Sequence, residues 1–401
     1  MSAHGSIPAV IVTGRGAQRL KSGHLWIYRS DIAKADDIAP GALVHVRDER
    51  GRNLGSALYS GASQIAIRLL TSKVIADSEL EALLRRRIHK AVDFRRQNVA
   101  DSDSYRIIFS EGDLLPGLVV DKYNDVLAMQ VLTQAFDREE IRRVVATTLS
   151  EQFPGASLLE RVEPHIRRLE QLPARESQLI YGGHSATLFT LNGVRFHFQG
   201  LGGQKTGAFL DQRENYAATA RHGHGEALDC FTYQGGFALH LARVCSSLTG
   251  VDTSRAALEV AEQNEVLDRD SHACGEIEWI EGNVFDLLKD YSSAARQYDT
   301  IVLDPPAFAK SRRTVETALR GYKELNLRAL KMLRPSGVLV SCSCSFHVAE
   351  GEFLAVLGAA AADAGRRLRI LEKRGAAIDH PVLSGVPETA YLKCFILQVI
   401  D

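Results

Sequence analysis

The chain has 401 residues, 45% of them hydrophobic, which is enough for more than one packed core and about two or three domains. A formal net charge of -1 names no partner, but residues 1–99 hold 16 Lys+Arg against 9 Asp+Glu and the remainder 32 against 40. A basic front on an acidic body suits a polyanion-facing module as well as ordinary solvated charge. The six cysteines form no CxxC pair and no Cys/His cluster of zinc-ligand spacing, so neither a disulfide scaffold nor a metal is expected. With no signal segment and no run of about 18 apolar residues, the expected compartment is the cytoplasm, away from any membrane.

Residues 7–72 read as short strands between turn signals, among them Ile7–Val12, Ala42–Val46 and Gln64–Leu70, with punctuation at Gly14–Gly16, Pro40–Gly41 and Gly51–Gly55. That spacing predicts a small β-barrel. Asp77 or Ser78 then caps a helix with Leu80, Leu83, Leu84, Ile88 and Val92 on one face and Arg85, Arg86, Arg95 and Arg96 on the other. Strands follow at Tyr105–Ser110, Leu118–Val120 and Val126–Leu132, then a helix from Arg138 to Ser150 and strands near Ser157–Arg161 and Val194–Phe198. From residue 226 the order becomes regular. Strands Leu228–Phe231, Leu248–Asp252, Glu276–Glu281, Thr300–Asp304 and Gly337–Cys342 are separated by helices, including Gly236–Val244 and Arg255–Leu267. This alternation predicts a parallel, doubly wound sheet, closed by a hairpin of Arg367–Leu371 and Tyr391–Ile400.

Ligands of such sheets bind beyond the carboxyl ends of the strands. The first strand runs into Asp229 to Phe237, where Gly235 and Gly236 let backbone approach a ligand. The spacing is not the GxGxxG dinucleotide fingerprint. The second ends at Asp252, whose carboxylate suits a ribose diol or caps the next helix. The third ends at Asn283 to Asp286, where either residue can read an adenine amino group or serve the turn. The fourth ends in Asp304-Pro305-Pro306-Ala307-Phe308. Two prolines stiffen that loop and hold the Asp304 carboxylate and nearby carbonyls against an incoming base.

Taken in order, Asp229 to Phe237, Asp252, Asn283, Asp286 and Asp304-Pro305-Pro306 resemble a class I S-adenosylmethionine-dependent methyltransferase. The stretch Gly203 to Arg213, reading GQKTGAFLDQR from its first glycine, is similar to the cofactor-flanking motif of RlmI-type large-subunit rRNA cytosine-C5 methyltransferases. Arg19 to Trp26 is similar to that family's PUA domain, Ser110 to Asp121 to its central domain, and Asp379-His380-Pro381 with Tyr391-Leu392-Lys393 to its end. The resemblance implies three domains: a PUA-like RNA-binding domain (1–75), a central α+β domain (76–190) and a Rossmann-like methyltransferase domain (191–401) with a sheet of about seven strands. It implies S-adenosylmethionine as cofactor, with Lys205, Thr206, Gln212, Asp229, Phe231, Gly235, Asp252, Asn283, Asp286, Asp304 and Pro305 as its binding residues. It implies large-subunit ribosomal RNA as partner, met by Arg15, Arg19, Lys21, His24, Trp26, Pro306 and Phe308, and leaves a homodimer open.

The family further implies a catalytic cysteine after the strand that follows Asp304. Two compete in Ser341-Cys342-Ser343-Cys344-Ser345, and the family's Ser-Cys-Ser falls on Cys344. Cys342 lies one pleat deeper and reads as a small buried hydrophobe. A thiolate adding to cytosine C6 makes C5 enamine-like, with Asp304 as the second catalytic group against the base. Two departures stand out: Pro305 to Phe308 carries no second cysteine, and Asn283 replaces the commoner acidic residue. The alternatives are methylation of an exocyclic amine such as guanine N2, which needs no cysteine, and a non-catalytic RNA-binding assembly factor.

Overall fold

The computed structural model describes residues 7–201, 207–309 and 311–401. The chain divides into two compact units. One comprises Met1–Thr187, Gln199–Gly203 and Asp379–Thr389, the other Leu188–Phe198, Gln204–Ile378 and Ala390–Asp401. Among the described residues, no helix is long and apolar enough to cross a membrane.

The first unit opens with a six-stranded sheet in the order Trp26–Tyr28, Ile65–Thr71, Asn53–Tyr59, Leu43–Asp48, Ala9–Val12 and Ile32–Ala35. Its pairings are antiparallel except between Ala9–Val12 and Leu43–Asp48. Gly14–Gly16, expected as a turn, instead opens the helix Gly14–Lys21. Thr13 caps it, its hydroxyl accepting from the Gly16 N–H at 3.3 Å. Its two glycines weaken the intrinsic helical signal, but Ala17 and Leu20 pack into the barrel core beside Val10, Val12 and Ile27.

The long helix starts at Leu80, after a single turn at Asp77–Glu79, and ends at Asn98. Its apolar face is as expected, with Leu80, Leu83, Leu84, Ile88 and Val92 buried. Arg95 departs from expectation. It is fully buried, forks onto Asp113 and donates to the Asp379 carbonyl at 2.7 Å. A guanidinium satisfied on several sides can occupy the apolar face. Helical spacing alone cannot show those partners. A five-stranded sheet completes this unit, ordered Gln178–Tyr181, Ser157–Glu160, Val126–Val131, Leu118–Tyr123 and Tyr105–Phe109.

The second unit contains a seven-stranded sheet. Its strands are β1 (Glu226–Cys230), β2 (Ser247–Asp252), β3 (Glu278–Glu281), β4 (Tyr298–Leu303), β5 (Leu333–Ser343), β6 (Leu368–Arg374) and β7 (Lys393–Val399). The spatial order is β3-β2-β1-β4-β5-β7-β6. The first five are parallel, and β7 runs antiparallel to both β5 and β6. β1 and β4 are central, so their carboxyl ends flank the point where the winding reverses, which is where such sheets bind ligands. Helix Val315–Met332 seats Leu325, Ala329 and Leu330 on the core shared by Ile301, Leu303 and Leu339. β5 extends further than Gly337–Cys342, and Cys344 lies just past its end.

Candidate active site at the mouth of the parallel sheet

The turn after β1 is backbone under constraint. Phe231, Tyr233 and Gly235 have φ of 65°, 53° and 86°, so two of its three left-handed residues carry side chains. Each such residue costs of order 1 kcal/mol and persists only where surroundings dictate it. Here the Asp252 carboxylate accepts from the Tyr233 N–H at 2.9 Å. Asp229 accepts from the Thr232 hydroxyl at 2.6 Å and from the Ala238 N–H at 3.0 Å. Gly236 is required by packing, since a Cβ there would lie 2.5 Å from the Tyr216 ring. Phe196, Phe209, Tyr216, Phe231, Tyr233 and Asp304 line the pocket over this turn.

Asp229 is fully buried, and its second carboxylate oxygen has no hydrogen-bond partner among the described residues. Burial pushes its carboxyl up to about 7, against the Thr232 and Ala238 bonds. Asp252 lies at the end of β2 and also accepts from the Ser254 N–H at 2.9 Å. Ser254, not Asp252, caps the next helix through its own hydroxyl. Each Asp252 oxygen thus accepts one of these bonds and has a further lone pair. Asn283 is exposed, and its side-chain oxygen accepts from the Phe285 and Asp286 N–H groups as a helix cap. Asp286 is exposed in the first turn of that helix.

Asp304 follows β4 and accepts from the Gln212 side-chain amide at 3.0 Å. Burial, then the neighbouring Asp211 and Asp229 carboxylates, push its carboxyl up to about 8, against the Gln212 bond. A carboxyl held near that value keeps protons well above the usual carboxylate range, and its protonated form can donate a hydrogen bond. Asp211 accepts from the Tyr391 hydroxyl at 2.5 Å. The Cys344 thiol is half-buried and lies 3.9 Å from the Pro305 carbonyl. Burial, then Asp304 and Asp211, push it up to about 12, with Lys393 opposing.

Two serines bracket this cysteine, and both bond to one phenol. Ser343 donates to the Tyr322 hydroxyl at 2.9 Å, and Tyr322 and Ser345 share a bond of 3.0 Å. Ser345 in turn accepts from the Ala309 N–H at 3.1 Å, joining the cysteine segment to the Asp-Pro-Pro loop. Ser343 and Ser345 alternate with Cys342 and Cys344 along extended chain, so their bonds to Tyr322 aim the cysteines at the opposite face. Cys342 is fully buried opposite Cys394 of β7. Pro306 is exposed. Phe308 is half-buried, its ring 4.8 Å from Tyr322 and 6.0 Å from Phe285, so much of its face is already packed. Tyr322, Ser343, Ser345 and Lys393 went unnoticed as site residues in the sequence. The signals were the Ser-Cys-Ser pattern around Cys344 and a lysine opening the apolar run Cys394–Leu397.

In the other unit, Arg15 has a side chain 68% exposed and bonds to Asp31 and Ser30. Arg19 lies over the Tyr28 ring at 4.6 Å, and Lys21 is exposed. His24 is buried, meets Glu388 at 3.1 Å and accepts from the Trp26 N–H. The Trp26 indole donates to Glu111 at 2.8 Å. Lys205 and Thr206 lie outside the described residues.

A family model for S-adenosylmethionine-dependent methyltransferases matches residues 177–396, and one for PUA-like domains matches residues 10–72. The Ribosomal RNA large subunit methyltransferase I of Citrobacter koseri is 33% identical over 98% of this chain and 100% of its own. That of Tolumonas auensis is 35% identical over 94% and 96%. The chain belongs to the ribosomal RNA large subunit methyltransferase I family. The fold agrees: a structure assigned as a methyltransferase and complexed with SAH aligns at TM-score 0.82 and 19% identity, covering 98% of this chain and 100% of that one. A Streptococcus mutans structure assigned to the S-adenosylmethionine-dependent enzymes gives 0.81 and 18%, with the same coverage. The residues of this methyltransferase suit that cofactor. The Gly235-Gly236 turn presents backbone at the sheet mouth, Asp252 offers a carboxylate edge for a diol, and aromatic rings wall the pocket.

Proposed function

We propose that this methyltransferase modifies cytosine C5 in large-subunit ribosomal RNA, with Cys344 as nucleophile. The observation that carries the reading is a thiol just past the end of β5, beside the Pro305 carbonyl of the Asp304-Pro305-Pro306 loop. When bound, S-adenosylmethionine supplies an electrophilic methyl group. Asp252 would hold its ribose, Asp229 and the turn from Phe231 to Gly235 would shape its pocket, and Gln212, Asp304 and Pro305 would border the methyl. Asp286 is the better acceptor for the adenine amino group, because the Asn283 oxygen already serves two N–H groups. Lys205 and Thr206 are proposed cofactor contacts on the resemblance alone.

The Cys344 thiolate adds to C6 of the flipped base, and the electron pair of the C5=C6 bond becomes available at C5. Asp304, protonated, donates to N3 or shares a bond with the exocyclic amine and stabilises the negative charge on the ring. After methyl transfer the C5 proton leaves to a base, the C6–sulfur bond breaks, and the C5=C6 double bond returns. Residues 1–75 carry 10 Lys+Arg against 5 Asp+Glu and would grip RNA through its backbone, with Arg15, Arg19 and Lys21 as the accessible contacts. His24 and Trp26 would act there by fixing the module in place, because their polar atoms are taken up by Glu388, Glu111 and the Trp26 N–H. Pro306, exposed, would meet the base more directly than Phe308.

The test uses RNA carrying 5-fluorocytosine at the target. The wild type should form a covalent complex, because fluorine cannot leave as a proton. Cys344→Ala should form none and make no 5-methylcytosine, while Cys342→Ala should do both. Full methylation by both variants would replace this reading with amine methylation.

A further inference from the structure

Lys393 opens β7 and is buried, yet the chemistry above leaves it unused. Its ammonium donates to three backbone carbonyls: Ser345 at 2.7 Å, Tyr391 at 2.9 Å and Val348 at 3.0 Å. Three donated bonds match the three hydrogens of an ammonium, one more than a neutral amine has. Among the described residues no carboxylate comes within ion-pairing distance of it, unlike the buried Arg95, Arg142 and Arg167, which meet Asp113, Glu160 and Asp137. A buried charge without a counter-ion is costly. Its hydrogen-bond partners show where compensation lies: Ser345 is the residue bonded to Cys344. The ammonium and the Cys344 sulfur act on each other, each favouring the charged form of the other.

We propose that Lys393 is the positioning residue of Cys344: it clamps the segment just after the sulfur and supplies the positive charge that stabilises the thiolate. The proposal rests on the reading of Cys344 as nucleophile, and it explains how a thiol among carboxyl groups is ionised at all. The acidic groups facing the pair are Asp304 and Asp211 on the sulfur side and Glu350 on the lysine side. With all three hydrogens committed, Lys393 offers no lone pair, so it acts as a charge and not as the base that takes the C5 proton.

The test measures alkylation of Cys344 by iodoacetamide, read by peptide mass so that Cys342 is counted separately. Wild type, Lys393→Met and Lys393→Arg are compared from pH 6.5 to 9.5. At pH 7 the Met variant should react about 10-fold more slowly, as one unit of thiol pKa requires. Burial pulls Lys393 down to about 8, against the Cys344 and Glu350 charges. Its charge is therefore present below that pH and lost above it, and the wild-type and Met rates should converge as pH rises past about 9. Lys393→Arg, which keeps a charge, should stay within about 3-fold of wild type at pH 7. Equal rates for wild type and Met at pH 7 would overturn the proposal, as would a ratio constant with pH. If the Met variant does not fold, the Arg variant decides: a 10-fold loss at pH 7 in a folded Lys393→Arg protein, judged by melting and cofactor binding, overturns it. Alkylation does not require RNA. A wild type that fails to trap 5-fluorocytosine yet shows the pH-dependent ratio would remove Cys344 as nucleophile and leave the charge coupling standing.

Discussion

In the unit that carries the barrel, acidic groups in the interior meet arginines. Asp113 is forked by Arg95, Asp121 by Arg106, and Glu160 by Arg142. In the methyltransferase unit, Asp229 and Asp304 have no such cation among the described residues. They rest on a threonine hydroxyl, a backbone N–H and a glutamine amide. Burial pushes these two carboxyls up to about 7 and about 8. A paired carboxylate is committed to its charge and serves architecture. An unpaired one near neutrality can give or take a proton, which is what a site acting on a base requires.

The largest expected effect tests the paired side. Arg95→Met should strand Asp113 and the Asp379 carbonyl without their donor, costing about 3–5 kcal/mol of stability, measured by denaturant unfolding. A loss under about 1 kcal/mol would mean that Asp113 finds water as readily as arginine. Next comes Asp304→Ala, expected to lower kcat by about 100-fold, the scale for loss of a donor aimed at developing charge. Wild-type activity should fall as pH rises through about 8, because the protonated carboxyl is the active form; Asp304→Asn, which keeps a donor that does not titrate, should lack that limb. Asp252→Ala should weaken S-adenosylmethionine binding by about 1–3 kcal/mol in calorimetry, with the fold intact. Unchanged affinity would take Asp252 out of the site.

The last effect is on stability alone. The folded Asp229 carboxyl is raised from 3.8 to about 7, so the folded state holds a proton that the unfolded chain has released across that window. Stability from this group is complete below the unfolded value and falls as pH rises through the window, by up to about 1.4 kcal/mol per pH unit. Asp229→Asn should remove that slope, so melting curves of the two proteins should diverge between pH 5 and 7. Parallel curves would show that Asp229 ionises at an ordinary pH.

The strand order, the Asp304-Pro305-Pro306 loop and the placing of Cys344 beyond a strand were legible because alternation and apolar runs are local signals. The burial of Arg95 was not, because its partners Asp113 and Asp379 are distant in sequence and only the fold unites them. The helix Gly14–Lys21 was hidden by glycines whose cost is met by tertiary packing. Asn283 shows a third case: a capping residue and an adenine reader look alike until the N–H groups it accepts are seen. Lys393 was visible as a charge before an apolar strand, but its three carbonyl partners come from two segments that the sequence does not align.

The bonds from Ser343 and Ser345 to Tyr322 give the cysteine segment the character of a bridge pinned at both ends. Rotating the Cys344 backbone would strain two hydroxyl contacts on a tyrosine that is itself buried in the core. The sulfur therefore has few orientations to search when a base enters, and most of the entropy of alignment is already lost when the chain folds. In the proposed role of Cys344, a nucleophile mounted in this way would favour speed of attack over tolerance. It should accept a base presented at one angle and reject the same base presented a fraction of an ångström away.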